Sequence, residues 1–320
     1  MSGHVILLAG AGPMAVAHAR VLKAQGHACH CVGRSIESAK RFEAEVGIPA
    51  QAGGVEIWIR QADRPDVTAA VVAVGLTELG AVTQMLIEAG IKRILVEKPG
   101  ALTLDEIDDL EAARRRAGAS VYLAYNRRFY AAAEAARRMI GEDGGVSSFF
   151  FDFTEIASRT VVPGRGPEVL NNWFLANSTH VLDLAFHLGG RPQVINARVK
   201  GALDWHPAGA TFAGSGQTEA GALFSYLADW AAPGRWGVEL RTAKRRLILQ
   251  PMETLKVQEP DSFSIADVPL DDLDTRFKPG LYRQMQAFLG EQPEMTALQT
   301  LSDHARAVRE DFLPLIGITP

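Results

Sequence analysis

The stretch His4-Val5-Ile6-Leu7-Leu8-Ala9-Gly10-Ala11-Gly12-Pro13-Met14-Ala15-Val16-Ala17-His18 decides the fold. The apolar run 5–8 suits a strand buried on both faces, the glycines make a tight turn, and Met14, Val16, Ala17, Val21 and Leu22 follow as one side of an amphipathic helix. Gly10, Gly12 and Ala15 hold the three small-residue positions of a dinucleotide fingerprint. The first permits the sharp turn, the second lets the backbone approach a pyrophosphate, and the third lets the helix pack close to the strand. Pro13 suits the first turn of that helix, whose free amides and dipole face the phosphates. Gly10, Gly12, Pro13, Met14 and Ala15 are therefore read as cofactor-binding residues. Similar glycine turns occur in other α/β proteins, and here the flanking strand and helix favour the nucleotide.

The rest of the chain is consistent with a protein built on such a unit. Its 320 residues exceed what one small core needs and suggest two domains. An apolar content of 47%, a charged content of 22% and a net charge of -4 point to a soluble protein with no electrostatic pull toward nucleic acid or anionic membrane. The apolar start is too short for a signal sequence and lacks a basic flank, and no run approaches the ~20 residues of a membrane span. A cytoplasmic location is expected. Cys29 and Cys31 fall two apart on the second predicted strand, where neighbours make poor disulfide partners. No second Cys/His cluster stands at zinc-ligand spacing, so neither disulfide nor metal is expected.

The end of that strand speaks to which nicotinamide cofactor binds. An acid there bonds the ribose 2′-hydroxyl of NAD, whereas a nearby arginine accommodates the 2′-phosphate of NADP. Gly33 takes the acid's place, and Arg34 and Ser35 supply a cation and a hydroxyl. NADP is the preferred cofactor on this reading, with NAD as the alternative. The competing account of Arg34 is a loop residue of no consequence.

A βα rhythm continues with helix 36–46, an ambiguous stretch 55–60, strand 68–74, helix 77–89, strand 94–96, helix 104–117 and strand 121–124, which implies a doubly wound parallel sheet. The loop beginning at Val74 is placed beside the cofactor through its backbone. Glu97-Lys98-Pro99 follows the strand 94–96 at a carboxyl end, where such sheets hold their ligands. A lysine there can stabilise charge on a reacting oxygen, although a solvated charge before a proline is the blander account.

Four motifs in order, Gly10-Ala11-Gly12-Pro13-Met14-Ala15 with His18, Val96-Glu97-Lys98-Pro99, Tyr125-Asn126-Arg127-Arg128-Phe129 and His180-Val181-Leu182-Asp183, resemble those of the glucose–fructose oxidoreductase/inositol dehydrogenase/MocA family. The resemblance implies an N-terminal Rossmann domain, residues 1–125, followed by an α+β domain, residues 126–320, with a large open, mainly antiparallel sheet for substrate binding and oligomerisation. It also implies a catalytic or substrate-orienting role for Lys98, with Glu97 beside the cofactor. Where the family usually has Asp-x-x-x-His-x-x-Asp, His180 and Asp183 match but Ala176 replaces the first acid. That departure puts a standard inositol- or glucose-dehydrogenase assignment in doubt and offers Asn177 as a substrate contact.

His180 is the candidate acid/base, since an imidazole exchanges protons near neutral pH. A helix-capping or buried structural histidine is the alternative. Tyr125, Asn126 and Arg127 follow a strand end and are read as substrate contacts, as is Arg165 in the Gly/Pro-rich loop 159–168 for an anionic group. Strands are expected at 148–154, 194–202, 221–229, 236–242 and 246–249, and helices at 280–289 and 296–315, both packing back on the first domain. Phe149, Phe151 and Trp236 are assigned to the sheet's exposed face and to a dimer or tetramer interface.

The function expected is an NAD(P)-dependent oxidoreductase that moves a hydride between nicotinamide and a carbon of a sugar, sugar derivative or nucleotide sugar. The alternatives are a non-catalytic dinucleotide-binding regulator or sensor, or a reductase of a non-sugar ketone or imine.

Overall fold

In the computed structural model, residues 4–156, 164–290 and 297–318 are described. The chain forms two compact units, one holding the chain through Tyr125 together with Leu281–Ala305, the other Asn126–Gly280 together with the residues from Arg306 on.

The first unit is a seven-stranded sheet in the order β15-β6-β5-β4-β1-β2-β3, parallel throughout except for β15. Its strands are β1 (Val5–Ala9), β2 (Ala28–Val32), β3 (Ala50–Gln51), β4 (Ala69–Val72), β5 (Arg93–Val96), β6 (Ser120–Leu123) and β15 (Gln299–Thr300). β4 reads Ala-Ala-Val-Val and is buried at every position, as a central strand covered on both faces must be. Strand order reverses between β1 and β4, so the ends of both strands border a ligand crevice of the doubly wound kind. Among the helices, α1 (Pro13–Ala24) follows β1, α2 (Ile36–Val46) is opened by a Ser35/Ser38 capping box, α3 is Gly54–Arg60 and α4 is Leu79–Glu88. α5 (Leu104–Ala117) is opened by a Thr103/Glu106 box.

The second unit carries an eight-stranded sheet in the order β14-β13-β12-β11-β7-β10-β9-β8. These strands are β7 (Ser148–Asp152), β8 (Pro192–Lys200), β9 (Thr211–Thr218), β10 (Leu223–Asp229), β11 (Gly237–Arg241), β12 (Arg246–Leu249), β13 (Lys256–Gln258) and β14 (Ile265–Asp267). All neighbours run antiparallel except β7 and β10, which pair in parallel. The helix Thr179–Gly189 packs on β7, and every residue in it except His187 is buried, which fits a helix apolar nearly all round.

Several expectations need correction. The stretch 55–60 is helical, and β3, β9, β13 and β14 went unread because three are only two or three residues long and β9, with Gly214 and Gly216, lacks apolar alternation. The predicted last helix begins only at Leu301, after the short edge strand β15. Thr296 and residues 159–163 of the predicted loop lie outside the described residues.

The largest correction concerns the aromatics. Phe149 and Phe151 are not on an exposed face: both are buried against Phe186, in edge contacts with ring centroids 6.2 and 5.5 Å apart. The exposed face of that sheet instead presents Val194, Leu223 and Leu227. Alternation was legible; which set of alternate residues the helix covers was not. Among the described residues, no helix is long and apolar enough to cross a membrane.

Candidate active site

In the first unit the glycine turn is sterically specified. Gly10 adopts φ 117°, and a Cβ there would lie 2.3 Å from the Ala73 carbonyl oxygen, so the turn packs against the end of β4 and its loop toward Val74. Gly12 caps α1 without a side-chain hydrogen bond, and the space where its Cβ would project holds no atom within 4 Å. Open space beside a helix N-terminus whose first amides have no cap is the cradle a pyrophosphate needs, so the residues fit a dinucleotide. Ala15 is fully buried where helix and strand meet.

At the end of β2, a Cβ on Gly33 would come within 2.9 Å of the Ala11 Cβ and 3.2 Å of Ser38 Oγ. A side chain at this position would require the Ala11 methyl to shift, and the sequence has no acid there. Arg34 is exposed, and its guanidinium forms no ion pair among the described residues. The Ser35 hydroxyl caps α2 by accepting from the Ser38 amide at 3.1 Å, a role the sequence reading had not given it. Burial pushes the Cys29 and Cys31 thiols up to about 12. Cys31 Sγ donates to the Gly10 carbonyl at 3.3 Å.

The turn bearing Lys98 is pinned from two sides. His18 Nε2 from α1 lies 2.9 Å from Glu97 Oε1, with His18 wholly buried. His304 Nε2 lies 2.9 Å from the Pro99 carbonyl oxygen, and the Tyr125 hydroxyl 3.3 Å from His304 Nδ1. A carbonyl can only accept, so Nε2 carries the proton, and in the neutral ring Nδ1 accepts from Tyr125. Tyr125 is 1% exposed, its hydroxyl committed to this chain. Its expected role as a substrate contact is corrected to a structural one. Tyr125→Phe should lower stability by about 1 kcal/mol in denaturant unfolding and leave substrate KM unchanged.

In the second unit Asn126 is also buried, its amide donating to the Pro279 carbonyl at 2.9 Å. Three other predicted substrate residues do come together. Arg127, Arg165 and Asn177 line one cavity of about 420 Å³ with Glu155, Trp173, Arg235, Trp236 and Glu253. Asn177 lies on a π-helical turn, Phe174–Ser178, which leads into the Thr179–Gly189 helix. Its amide nitrogen donates to both Glu155 oxygens at 3.0 and 3.3 Å, and Ser178 Oγ donates to Oε1 at 3.3 Å. An ionised carboxylate only accepts, so Glu155 fixes the flip of the Asn177 amide and leaves Oδ1 as the acceptor that side chain can offer. The sequence reading missed Glu155. Its only signal was a single acid beyond the end of an apolar alternating strand.

His180 lies in the first turn of the helix, 8% exposed, its ring centroid 6.3 Å from that of Trp236. Trp236, expected at an interface, instead lines the cavity and carries the Arg127 guanidinium 5.0 Å from its ring centre. Arg128 grips Asp183 through two bonds, Nε to Oδ2 at 2.8 Å and Nη2 to Oδ1 at 2.6 Å. Burial raises the Asp183 carboxyl above its ordinary pKa, and Arg128 opposes that rise. Desolvation, with Arg128 and Arg137 nearby, pushes His187 down to about 3, so this second histidine is neutral at working pH and no proton carrier. Among the described residues, no group of three or more His, Cys, Asp or Glu is placed to hold a metal ion.

A Rossmann unit with an open phosphate cradle is joined in sequence to an open-sheet unit with a polar cavity. Residues 5–125 match the GFO_IDH_MocA model, described as an oxidoreductase family with an NAD-binding Rossmann fold. Among curated proteins, none matches the chain by sequence. Solved structures share the fold across nearly the whole length. An oxidoreductase from Agrobacterium radiobacter, in complex with NAD+, L-tartaric acid and magnesium, is 16% identical, with 99% of this chain and 95% of that one covered and a TM-score of 0.76. Levoglucosan dehydrogenase in complex with NADH is 18% identical, with 99% and 97% covered and a TM-score of 0.75. UDP-N-acetylglucosamine 3-dehydrogenase from Acidithiobacillus ferrooxidans is 16% identical, with 96% and 95% covered and a TM-score of 0.71.

Proposed function

We propose that the protein is an NADP-preferring dehydrogenase of a sugar, sugar derivative or nucleotide sugar. The observation that carries this reading is the gathering of Arg127, Arg165 and Asn177 around one cavity in a chain whose other unit is a Rossmann domain matching the oxidoreductase family. A cavity of about 420 Å³ is of the size that holds a small ligand. The dehydrogenases of a sugar and of a nucleotide sugar among the similar structures agree with this substrate class.

When bound, the nicotinamide supplies the hydride acceptor. Lys98 is the proposed donor to an oxygen on which negative charge gathers, and His180 the proposed carrier of a hydroxyl proton. In oxidation the imidazole of His180 would take up one proton, and in reduction it would return it. Asn177 accepts from a substrate hydroxyl through Oδ1, in the orientation imposed by Glu155. Gly33 in the acid's place and the exposed Arg34 support NADP over NAD.

The test is cofactor-linked turnover on sugars, sugar acids and nucleotide sugars, with NADP and NAD compared. Activity on at least one of these is expected, and Arg34→Ala should raise KM for NADP about tenfold while changing that for NAD little. Equal changes would remove the NADP preference. Cofactor binding without turnover on any of them would favour a sensor.

A further inference from the structure

We propose that the cavity of the second unit selects a ligand carrying a carboxylate or phosphate group, held by Arg165 and Arg235. The proposal rests on the reading of that cavity as the substrate site and names the chemistry it recognises.

The argument is a census of donors and acceptors on the cavity wall. Arg165, Arg235 and Arg127 present guanidinium groups, which only donate, and Trp173 adds an indole N–H, also donor-only. Arg165 and Arg235 are exposed and form no ion pair with a carboxylate among the described residues. Trp173 is 2% exposed, and its Nε1 has no hydrogen-bond partner among those residues. A buried donor left unmatched is costly, and an acceptor brought by a ligand would satisfy it.

The two carboxylates on the wall do not balance these donors. Glu155 already accepts from Asn177 and Ser178, and Glu253 is exposed to solvent. Arg165 is also restrained in place, its Cζ lying 5.0 Å from the Trp173 ring centre, while Arg127 lies at the same distance from Trp236. With its guanidinium over an indole ring, Arg165 can still turn N–H donors toward an oxyanion. Among the described residues the three guanidinium groups and the indole N–H outnumber the open side-chain acceptors, Asn177 Oδ1 and Glu253, and so favour a ligand group with several acceptor oxygens and negative charge.

The experiment titrates the full chain, in the presence of NADPH and at fixed ionic strength, with D-glucuronate, D-glucose 6-phosphate and D-glucose. Binding of at least one anionic sugar about tenfold or more tighter than glucose is expected, the carboxylate and phosphate arms showing which group the site prefers. Arg165→Gln should remove most of that advantage and leave the affinity for NADPH unchanged. Glucose binding as well as both anionic sugars, no binding of any of the three, or an unchanged preference in Arg165→Gln would overturn the proposal. Because NADPH binding is recorded separately, failure of the anion preference with NADPH bound leaves the dinucleotide reading intact, whereas failure to bind NADPH removes that reading itself.

Discussion

Lys98→Met lowers kcat by about a hundredfold or more while leaving the affinity for nicotinamide cofactor within a few-fold of the parent. The reason is chemical and positional together. Methionine keeps the length and apolar stem of lysine but has no N–H to donate, so the charge that builds on the reacting oxygen in the transition state loses its partner. The backbone that carries the residue should not move, because the turn is held by contacts outside the Lys98 side chain: His18 to Glu97 on one side and His304 to the Pro99 carbonyl on the other. Lys98→Arg is a poor substitute, since a planar fork directs its donors differently from a compact ammonium, and it should recover only a small part of the rate. Stopped-flow measurement of nicotinamide absorbance separates the chemical step from cofactor binding. A kcat within about threefold of the parent would remove Lys98 from the chemistry.

The first unit could be read in the sequence because its signals are local. The buried strand, the Gly10/Gly12 turn and the helix behind it lie within one short segment, and each is dictated by sterics that a single residue carries. The same holds for the end of β2, where Gly33 vacates the acid's place and packs close to the Ala11 methyl. In the second unit the decisive relations are long-range. Asn177 and Arg165 were legible as candidates, yet Glu155, which orients Asn177, comes from a different element 22 residues away and carries no motif. Phe149 and Phe151 alternate as a strand face must, but only the arrival of Phe186 from the Thr179–Gly189 helix decides that their face is the inner one. Tyr125 shows the opposite failure. Its place at a strand end suggested a ligand contact, and its pairing with His304, distant in sequence, makes it part of the frame.

Asp183→Asn should destabilise the second unit by about 3 kcal/mol or more, the range seen when one member of a buried ion pair is removed. Asp183 is 2% exposed and meets Arg128 through both carboxylate oxygens. An asparagine of the same shape offers one acceptor in place of two, and its amide N–H groups would point at the N–H groups of a guanidinium that cannot release its proton. The loss should appear as a lower denaturant midpoint with an unchanged slope and, for a unit of this size, as a fall of roughly 6–12 °C in its melting temperature. Replacing both partners by apolar residues, Arg128→Met with Asp183→Leu, should recover most of that loss, because the desolvation cost of two buried charges disappears with their attraction. The comparison also decides the charge state of Asp183, which burial drives toward the neutral acid and Arg128 toward the carboxylate. A neutral carboxyl already has one oxygen that does not accept, so Asp183→Asn would then cost less than about 1 kcal/mol. A cost of several kcal/mol means that the carboxylate is ionised and that the pair ties the Thr179–Gly189 helix, with His180 in its first turn, to the segment bearing Arg127 and Arg128.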